Sequence, residues 1–257
     1  MEVTDILIMC LFSFSAGFVD AIVGGGGLIQ TPAILILFPQ YPVPMLLGTT
    51  KIPAFSGTLN ATYQYSKRVS MNYKVLAFMC FVAFGASMLG SSSVNLMPRE
   101  YLRPFMLVLM IGIAIYTFLN KNFGSAEHVE KTDRLRYVYA AALAALIGFY
   151  DGFFGPGAGS FLILVFIGLL GMDFLHASAH AKAVNLFTNL ASITYFGLKG
   201  LIIWKLTVPM AVANFAGGFT GAKLAISKGN KLVRYFFLIV VCGTIIRFAY
   251  DLIMQYR

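Results

Sequence analysis

Four charged side chains lie inside strongly apolar stretches of this sequence: Asp20, Lys51, Asp151 and Lys182. A lysine near the centre of a bilayer costs several kcal/mol, so it is expected to face a partner or a hydrated cavity. Two interpretations follow. In one, Lys51 forms a structural ion pair with Asp20 or Asp151, and in the other the lysines form a cationic site for an anion. Both stay open for Lys51, and the polar neighbours of Lys182 favour the anion site there.

The neighbours of Lys182 are the most polar run within an apolar segment: His176, His180, Asn185, Thr188 and Asn189. Asn185 and Asn189 are four residues apart and share one helical face, where they are candidate ligands of an anion together with Thr58. His176 and His180 have the spacing of metal-binding helices. No cluster of Cys, Asp or Glu completes such a site beyond Asp173. We therefore expect a hydrogen-bonded histidine at a helix end, with no metal and no cofactor.

Two glycine-rich breaks, GGGG at 24–27 and GPGAG at 155–159, interrupt apolar segments. Broken helices leave backbone N–H groups without partners, which lipid does not tolerate but a cavity does, and such groups attract anions. Gly25, Gly26, Gly157 and Gly159 are therefore candidate substrate ligands. The alternative is close helix packing, which glycine also permits.

An aspartate precedes each break, Asp20 before the first and Asp151 before the second. Each carboxylate can cap backbone N–H groups, pair with a lysine or carry a coupling proton. His180 is a third candidate for coupling, because histidine titrates near neutrality.

The second break belongs to a repeat of the first, at the offset of 131 residues that separates Gly17 from Gly148. At this offset Asp20 matches Asp151 and Lys51 matches Lys182, and further glycine, lysine and arginine matches follow without a gap. Matches of these residue types indicate a duplicated unit.

The elements that position these residues are about five apolar segments in each half. They are expected at 6–23, 28–38, 45–65, 75–89 and 101–119, and again at 137–154, 161–170, 174–198, 208–226 and 232–250. The segment at 28–38 would be roughly 16 Å long as a helix, about half the hydrocarbon thickness. The predicted units are repeat 1 at 1–122, a cytoplasmic linker at 123–136 and repeat 2 at 137–257.

Composition places the chain in a membrane. Hydrophobic residues make up 59% and charged residues only 11%, whereas about a quarter of a soluble domain is charged. The net charge of +9 collects in short loops and so indicates orientation rather than nucleic-acid binding. Basic loops at 67–74, 121–136 and 223–234 predict inverted repeats with both termini outside, although Lys199 and Lys205 would then lie outside as well.

Cys10, Cys80 and Cys242 show no CxxC spacing, and we expect free thiols.

The segments GFVDAIVGGGG, GFYDGFFGPGAGSF and HASAHAK resemble the signatures of the TauE/SafE family of sulfite exporters. The resemblance covers nearly the whole chain. It implies a permease for sulfur oxyanions or organosulfur anions and about eight membrane spans. Two of the ten segments, 28–38 and 161–170, would then be re-entrant or half-spanning. His180 and Val184 stand where the first half has Thr49 and Pro53, so the halves are not fully equivalent.

The sequence thus predicts an all-α, polytopic inner-membrane protein of two inverted tandem repeats, and a secondary transporter of a small anion with its site between them. Proton coupling and a homodimer are left open. No GxSxG motif or Walker loop supports an enzyme. The alternatives are a passive anion channel, a transporter of another small organic anion, and a membrane scaffold that transports nothing.

Overall fold

The computed structural model describes residues 2–94, 134–233, 235, 236 and 239. The first half forms α1 (Val3–Val23), α2 (Gly27–Leu37), α3 (Val43–Ser66) and α4 (Tyr73–Ser92). The second half forms α5 (Arg134–Phe153), α6 (Ala158–Leu170), α7 (Phe174–Leu198) and α8 (Trp204–Lys228). Each helix of the second half begins 131 residues after its counterpart, the offset predicted from the sequence.

The helix bounds follow from local chemistry. α1 ends at Gly24, whose φ of 80° is the left-handed conformation that glycine adopts most readily. Pro42 and Pro44 initiate α3, since proline fits the first turn of a helix. α7 begins at Asp173, whose side chain accepts a hydrogen bond from the backbone N–H of His176. The breaks at 24–27 and 155–159 thus separate a long helix from a short one in each half, as predicted.

The last described long helix of each half, α4 or α8, packs mainly against helices of the other half. α1 packs mainly on α8, and reciprocally α5 packs mainly on α4. α3 also packs on α8, as α7 does on α4, while α3 and α7 contact each other at the centre. Among the described residues, the main helix contacts thus run between the halves, and the breaks of both halves lie in one shared interior.

Side-chain contacts give the helix directions. Ser13 of α1 contacts Met210 and Asn214 of α8, and a Cβ on Gly221 would meet Phe18, so α1 and α8 are parallel. α3 is parallel to α8 as well, since Thr49 pairs with Thr207 and Gln64 with Phe219.

The other three long helices also share a direction. Ser87 and Ser91 of α4 contact Thr188 and Ser192 of α7, and Ser91 bonds to Gly152 of α5 while a Cβ on Gly148 would meet Ala83. α7 is antiparallel to α3, because Gly48 lies against Phe196 and Ser70 against His176. Equivalent helices of the two halves therefore run in opposite directions.

The surface and the interior are inverted relative to a soluble protein. Large apolar side chains are exposed on the outside, for example Leu11 at 71%, Phe81 at 77% and Val212 at 69%. The buried set includes two lysines, two aspartates and several asparagines. By length and composition, two of the described helices, Val3–Val23 and Tyr73–Ser92, are apolar enough to cross a membrane.

Some predicted segments lie outside the described residues. These are the segment at 101–119, nearly all of the linker at 123–136 and most of the segment at 232–250. α5 begins at Arg134, three residues before the predicted start of repeat 2.

Cys10 and Cys80 are free thiols as expected, and Cys242 is not among the described residues.

Candidate functional site

Two ion pairs cross between the halves. The Nζ of Lys51 on α3 lies 3.0 Å from Oδ1 of Asp151 on α5 and also donates to the Asp151 carbonyl at 2.5 Å. The Nζ of Lys182 on α7 lies 2.9 Å from Oδ2 of Asp20 on α1. Each lysine therefore neutralises the carboxylate of the other half, so that the repeat produces two equivalent pairs.

Both carboxylates have further partners. Asp20 accepts hydrogen bonds from Thr58 at 3.3 Å and from the backbone N–H of Gly26 at 3.4 Å. Asp151 accepts a short hydrogen bond of 2.5 Å from Thr188. Asp20 thus caps a backbone N–H of its break and pairs with a lysine, two of the roles that its position suggested.

A cavity of about 40 Å³ lies where the two breaks meet, enough for on the order of three water molecules. Both halves line it, and its walls are mostly polar. The lining side chains include Asp20, Gln30, Thr31, Thr50, Lys51, Thr58, Asp151, Asn185 and Asn189, with backbone at Gly24, Gly27, Gly155 and Gly159.

The cavity contains uncommitted hydrogen-bond donors. An ammonium group has three N–H donors, and two of those on Lys51 go to Asp151. Both N–H groups of Asn189 go to Asn185, at its carbonyl and its Oδ1. The Nδ2 of Asn185 and the hydroxyl of Thr31 donate to no acceptor within the described part of the chain. The third Lys51 N–H and these two groups are available to a ligand with several acceptor atoms.

The two lysines differ in access to this cavity. The Lys51 side chain is 6% exposed and lines the cavity. Lys182, which the sequence favours as the anion ligand, has a side chain that is 0% exposed and is not part of the lining. Its ammonium group lies behind Asp20. The two lysines are therefore equivalent in sequence, but only Lys51 lies in the cavity wall.

The sequence profile of the TauE/SafE sulfite exporter family matches residues 9–248. The chain belongs to the TauE/SafE family. No solved structure matches the chain.

Three relatives of this TauE/SafE chain are each named a probable membrane transporter protein. The ORF9 protein of Sinorhizobium is 35% identical over 93% of this chain and 90% of its own. A Haemophilus influenzae protein is 34% identical over 98% of both chains. YfcA of Escherichia coli is 34% identical over 97% of this chain and 92% of its own.

The remaining residues predicted for the site in this TauE/SafE protein lie outside the cavity wall. Gly25, Gly26 and Gly157 are not among the lining residues. A Cβ on Gly26 would lie 2.5 Å from the carbonyl oxygen of Ala16, so this glycine allows close packing against α1. His180 also lies away from the cavity, where its Nδ1 donates to the carbonyl of His176 at 2.8 Å.

Neither histidine of α7 forms part of a metal centre in the described residues. His176 contacts Asp173 at 2.8 Å, and the described residues contain no group of three or more His, Cys, Asp or Glu side chains that could hold a metal ion. The i, i+4 spacing thus reflects hydrogen bonding at the start of the helix.

Sequence reasoning missed three polar lining residues of the TauE/SafE cavity: Gln30, Thr31 and Thr50. Gln30 and Thr31 are the third and fourth residues after the first break, and their counterparts are apolar, Phe161 and Leu162. A polar pair near the start of a short apolar helix, with no polar counterpart in the other half, is the signal that identifies them.

Proposed function

We propose that this protein is a secondary transporter of a small oxyanion, which binds in the central cavity between the two halves. The observation that carries the proposal is the lysine ammonium of Lys51 in the wall of a polar cavity where two broken helices meet. Broken helices at matching positions in two halves are typical of transporter sites, where irregular backbone lines a cavity.

Lys51 supplies the charge that attracts the anion. Its third N–H, the Nδ2 of Asn185 and the Thr31 hydroxyl supply hydrogen bonds to the oxygens of the ligand, and the backbone of Gly159 lies beside Asn185. Hydrogen bonds to a charged ligand are about twice as strong as neutral ones. Asn189 acts indirectly, because both of its N–H groups orient Asn185.

Lys182 holds the first half in place rather than the ligand. It pairs with Asp20, which in turn accepts from Gly26 in the first break and from Thr58 on α3. This connects α7 to α1, α2 and α3 at one carboxylate, and it keeps Lys182 away from the ligand.

Charge balance favours coupling to protons. The two lysines and two aspartates at this core sum to zero charge, so a bound monovalent anion leaves one uncompensated negative charge. An uncompensated buried charge is costly. When the bound anion replaces Asp151 as the ion-pair partner of Lys51, the Asp151 carboxylate is left without a cation. Protonation of this carboxylate restores neutrality, so the anion and the proton move across the membrane in the same direction.

Alternating access fits the opposed directions of equivalent helices, which support an inverted repeat about an axis in the membrane plane. The parallel helices α3 and α8 end together, which brings Lys67 and Arg68 to the same end as Lys223 and Lys228. By the positive-inside rule this end is cytoplasmic, and the start of α1, with Glu2 and Asp5, is then outside.

The family supports a sulfur oxyanion or organosulfonate as the substrate class of this proposal. The matched profile is that of sulfite exporters, and a pyramidal oxyanion such as sulfite, or an organosulfonate, presents several acceptor oxygens to these donors. The inner membrane is the location that a proton-coupled transporter of this kind requires.

Counterflow in proteoliposomes tests the proposal. Vesicles loaded with unlabelled sulfite should transiently accumulate labelled sulfite from outside, with saturation kinetics. With the membrane potential held at zero by a potassium ionophore and equal potassium on both sides, a passive anion channel would equilibrate the label without accumulation. A membrane scaffold would show no flux of sulfite, sulfonates or any other anion. Either result would overturn the proposal.

A further inference from the structure

We propose that Gln30 is a specificity-determining ligand of the anion, and that Ser13 and Asn214 are positioning residues that fix the direction of its amide. The inference rests on the proposed anion site and adds to it a donor from α2. Gln30 lines the cavity, is only 2% exposed, and contacts both Ser13 and Asn214.

The hydrogen atoms of this triad can be assigned one by one. The single hydroxyl hydrogen of Ser13 goes to the backbone carbonyl of Met210 at 2.8 Å. The Ser13 oxygen can then only accept, and it does so from the amide nitrogens of Gln30 and Asn214, both at 3.4 Å. The other N–H of Asn214 goes to Oε1 of Gln30 at 3.3 Å.

This assignment leaves Gln30 with one amide N–H and a fixed direction. A flipped amide would place its N–H groups against those of Asn214 and its oxygen against an oxygen that has no hydrogen to give. The remaining N–H of Gln30 has no acceptor in the described part of the chain, and the side chain borders the cavity. An acceptor oxygen of the ligand can take this hydrogen bond.

The triad, formed by α1, α2 and α8, occurs at only one of the two positions that the repeat relates. At the offset of 131 residues, Ser13, Gln30 and Asn214 correspond to Ala144, Phe161 and Ala83. These three counterparts are buried and apolar, so the fold packs well at this position without a polar triad. The polar version therefore has a use at one of the two equivalent positions, the one beside α2.

Two glycines make room for Asn214. A Cβ on Gly17 would lie 2.7 Å from Oδ1 of Asn214, and a Cβ on Gly57 would clash with the same oxygen. Two helices, α1 and α3, thus leave space for an amide that reaches Gln30, which supports a positioning role for Asn214.

The ligand class is an anion with oxygen acceptors. The Gln30 N–H lies on the α2 side of the cavity, while Lys51 and Asn185 come from α3 and α7. Donors on three helices suit an oxyanion whose oxygens point in different directions, and they suit a spherical halide less well.

The test measures the dissociation constant for sulfite by ligand-induced thermal shift, using the purified full chain of the wild type and of each variant. Gln30→Met removes the donor at similar volume, and Gln30→Glu replaces it with carboxylate oxygens. We expect Gln30→Met to weaken sulfite binding by roughly 10- to 100-fold, the effect of a lost hydrogen bond to a charged group. Gln30→Glu should weaken it further, and chloride binding should change less than sulfite binding.

Asn214→Ala separates positioning from direct contact. We expect a several-fold loss of sulfite affinity in Asn214→Ala, and the double variant Gln30→Met/Asn214→Ala should bind no more weakly than Gln30→Met alone. Ser91→Ala is the matched control, because Ser91 is a buried hydroxyl bonded to Gly152 and Ser192 but is not part of the cavity wall. Its sulfite affinity should equal that of the wild type.

The possible failures are distinguishable. Wild-type binding with unchanged affinity in both Gln30 variants would overturn this inference and leave the anion site standing. Lower melting temperatures with unchanged sulfite affinity would reduce the triad to a structural role and also overturn it. If the wild type responds to neither sulfite, sulfonates nor any other anion, the proposed function fails, and this inference with it.

Discussion

Lys51 and Lys182 occupy equivalent positions in sequence but different positions relative to the cavity. Both are paired with an aspartate of the other half, at 3.0 Å and 2.9 Å. Only Lys51 also lines the cavity. One pair can therefore exchange its carboxylate for a ligand, while the other is shielded from it.

Lys182→Met is expected to destabilise the protein, since it leaves Asp20 without its cation. Removing one partner of a buried pair costs about 3 to 5 kcal/mol. Because the Asp20 side chain is 17% exposed and keeps two other donors, we expect the lower end, about 3 kcal/mol. The measurement is the melting temperature of the purified protein in detergent.

The double variant Lys182→Met/Asp20→Asn provides the control. It removes both charges, so it should recover most of the lost stability. A single variant as stable as the wild type would contradict the structural role of this pair.

At the residue scale, the sequence predicts both lysines, both aspartates and the asparagines, because charge and polarity stand out in apolar segments. It does not predict which lysine reaches the cavity. Access to the cavity depends on the tertiary structure, in which Asp20 lies between Lys182 and the cavity. The 131-residue repeat does not indicate this difference, because it makes the two lysines equivalent in sequence. Gln30 was missed because its counterpart in the second half is apolar, Phe161, so the repeat does not mark this position as polar.

At the scale of elements, the two glycine breaks touch each other. Gly24 and Gly159 meet backbone to backbone, and the N–H of Ser160 donates to the carbonyl of Gly24 at 3.2 Å. The start of α6 thereby fixes the end of α1, which also receives the Ser160 hydroxyl at the carbonyl of Val23. The sequence left close helix packing and cavity lining as alternative roles for the glycines of the breaks. Gly24 and Gly159 have both roles, because they pack against each other and also line the cavity.

Gly159→Ala is expected to destabilise the protein by about 1 to 3 kcal/mol through overpacking. A Cβ there would lie 2.7 Å from the Cα and the carbonyl oxygen of Gly24, which are backbone atoms that cannot rotate away. Gly168→Ala in the same helix is the matched control, because a Cβ there meets nothing within 4 Å. It should stabilise α6 by up to about 1 kcal/mol. Equal melting temperatures for the two variants would contradict the contact.

Asp173, the N-cap of α7, makes the stability of the folded protein depend on pH. Burial raises the pKa of Asp173, but hydrogen bonds and the charge of His176 outweigh burial and hold the pKa below its ordinary value of 3.8. A carboxylate with a lowered pKa contributes its full stability above the ordinary pKa and loses it as the pH falls through the folded value. The wild type should therefore lose stability below about pH 3.8 relative to Asp173→Asn. Asp173→Ala, which also lacks the cap, should cost about 1 kcal/mol at neutral pH.

Parallel pH profiles of melting temperature in the wild type and Asp173→Asn would contradict the pairing with His176. Asp173→Asn keeps an acceptor oxygen for the backbone N–H of His176, so it isolates the effect of the charge.

The elements themselves are largely predictable. Apolar runs, prolines and glycines place the eight described helices within about four residues of the observed bounds, since each signal acts locally. The exchange of α4 and α8 between halves is not predictable in this way. It depends on small residues such as Gly90 and Gly217, at which a Cβ would clash with the backbone of the helix from the other half.

At the scale of the molecule, the repeat and the helix directions make a topology test possible. Arg68 and Lys199 are equivalent at the 131-residue offset, both exposed and both basic, so they form a matched pair. In a background without other cysteines, we expect Arg68→Cys to be protected from a membrane-impermeant maleimide in intact cells and Lys199→Cys to be labelled. Labelling of both positions from the same side would contradict an inverted repeat.

Halves whose equivalent long helices run in opposite directions bring two broken helices together. Ion pairs between the halves keep this core neutral, and one lysine lines the cavity. The exposed apolar surface meets lipid, while hydrogen bonds between the halves hold the interior. Orientation follows from the distribution of basic residues, a signal that the sequence shows directly.

Sulfite binding by the charge-neutral variant Lys51→Met/Asp151→Asn tests the central claim most directly. Removing both members of the pair avoids a stranded charge, so the protein should fold, and Lys182→Met/Asp20→Asn serves as the control with the same change in composition. The measurement is the rise in melting temperature on adding sulfite, since a ligand of the folded state stabilises it by mass action. We predict a rise in the wild type and in the control variant, and none in Lys51→Met/Asp151→Asn. An undiminished rise in Lys51→Met/Asp151→Asn would show that the anion does not bind at Lys51.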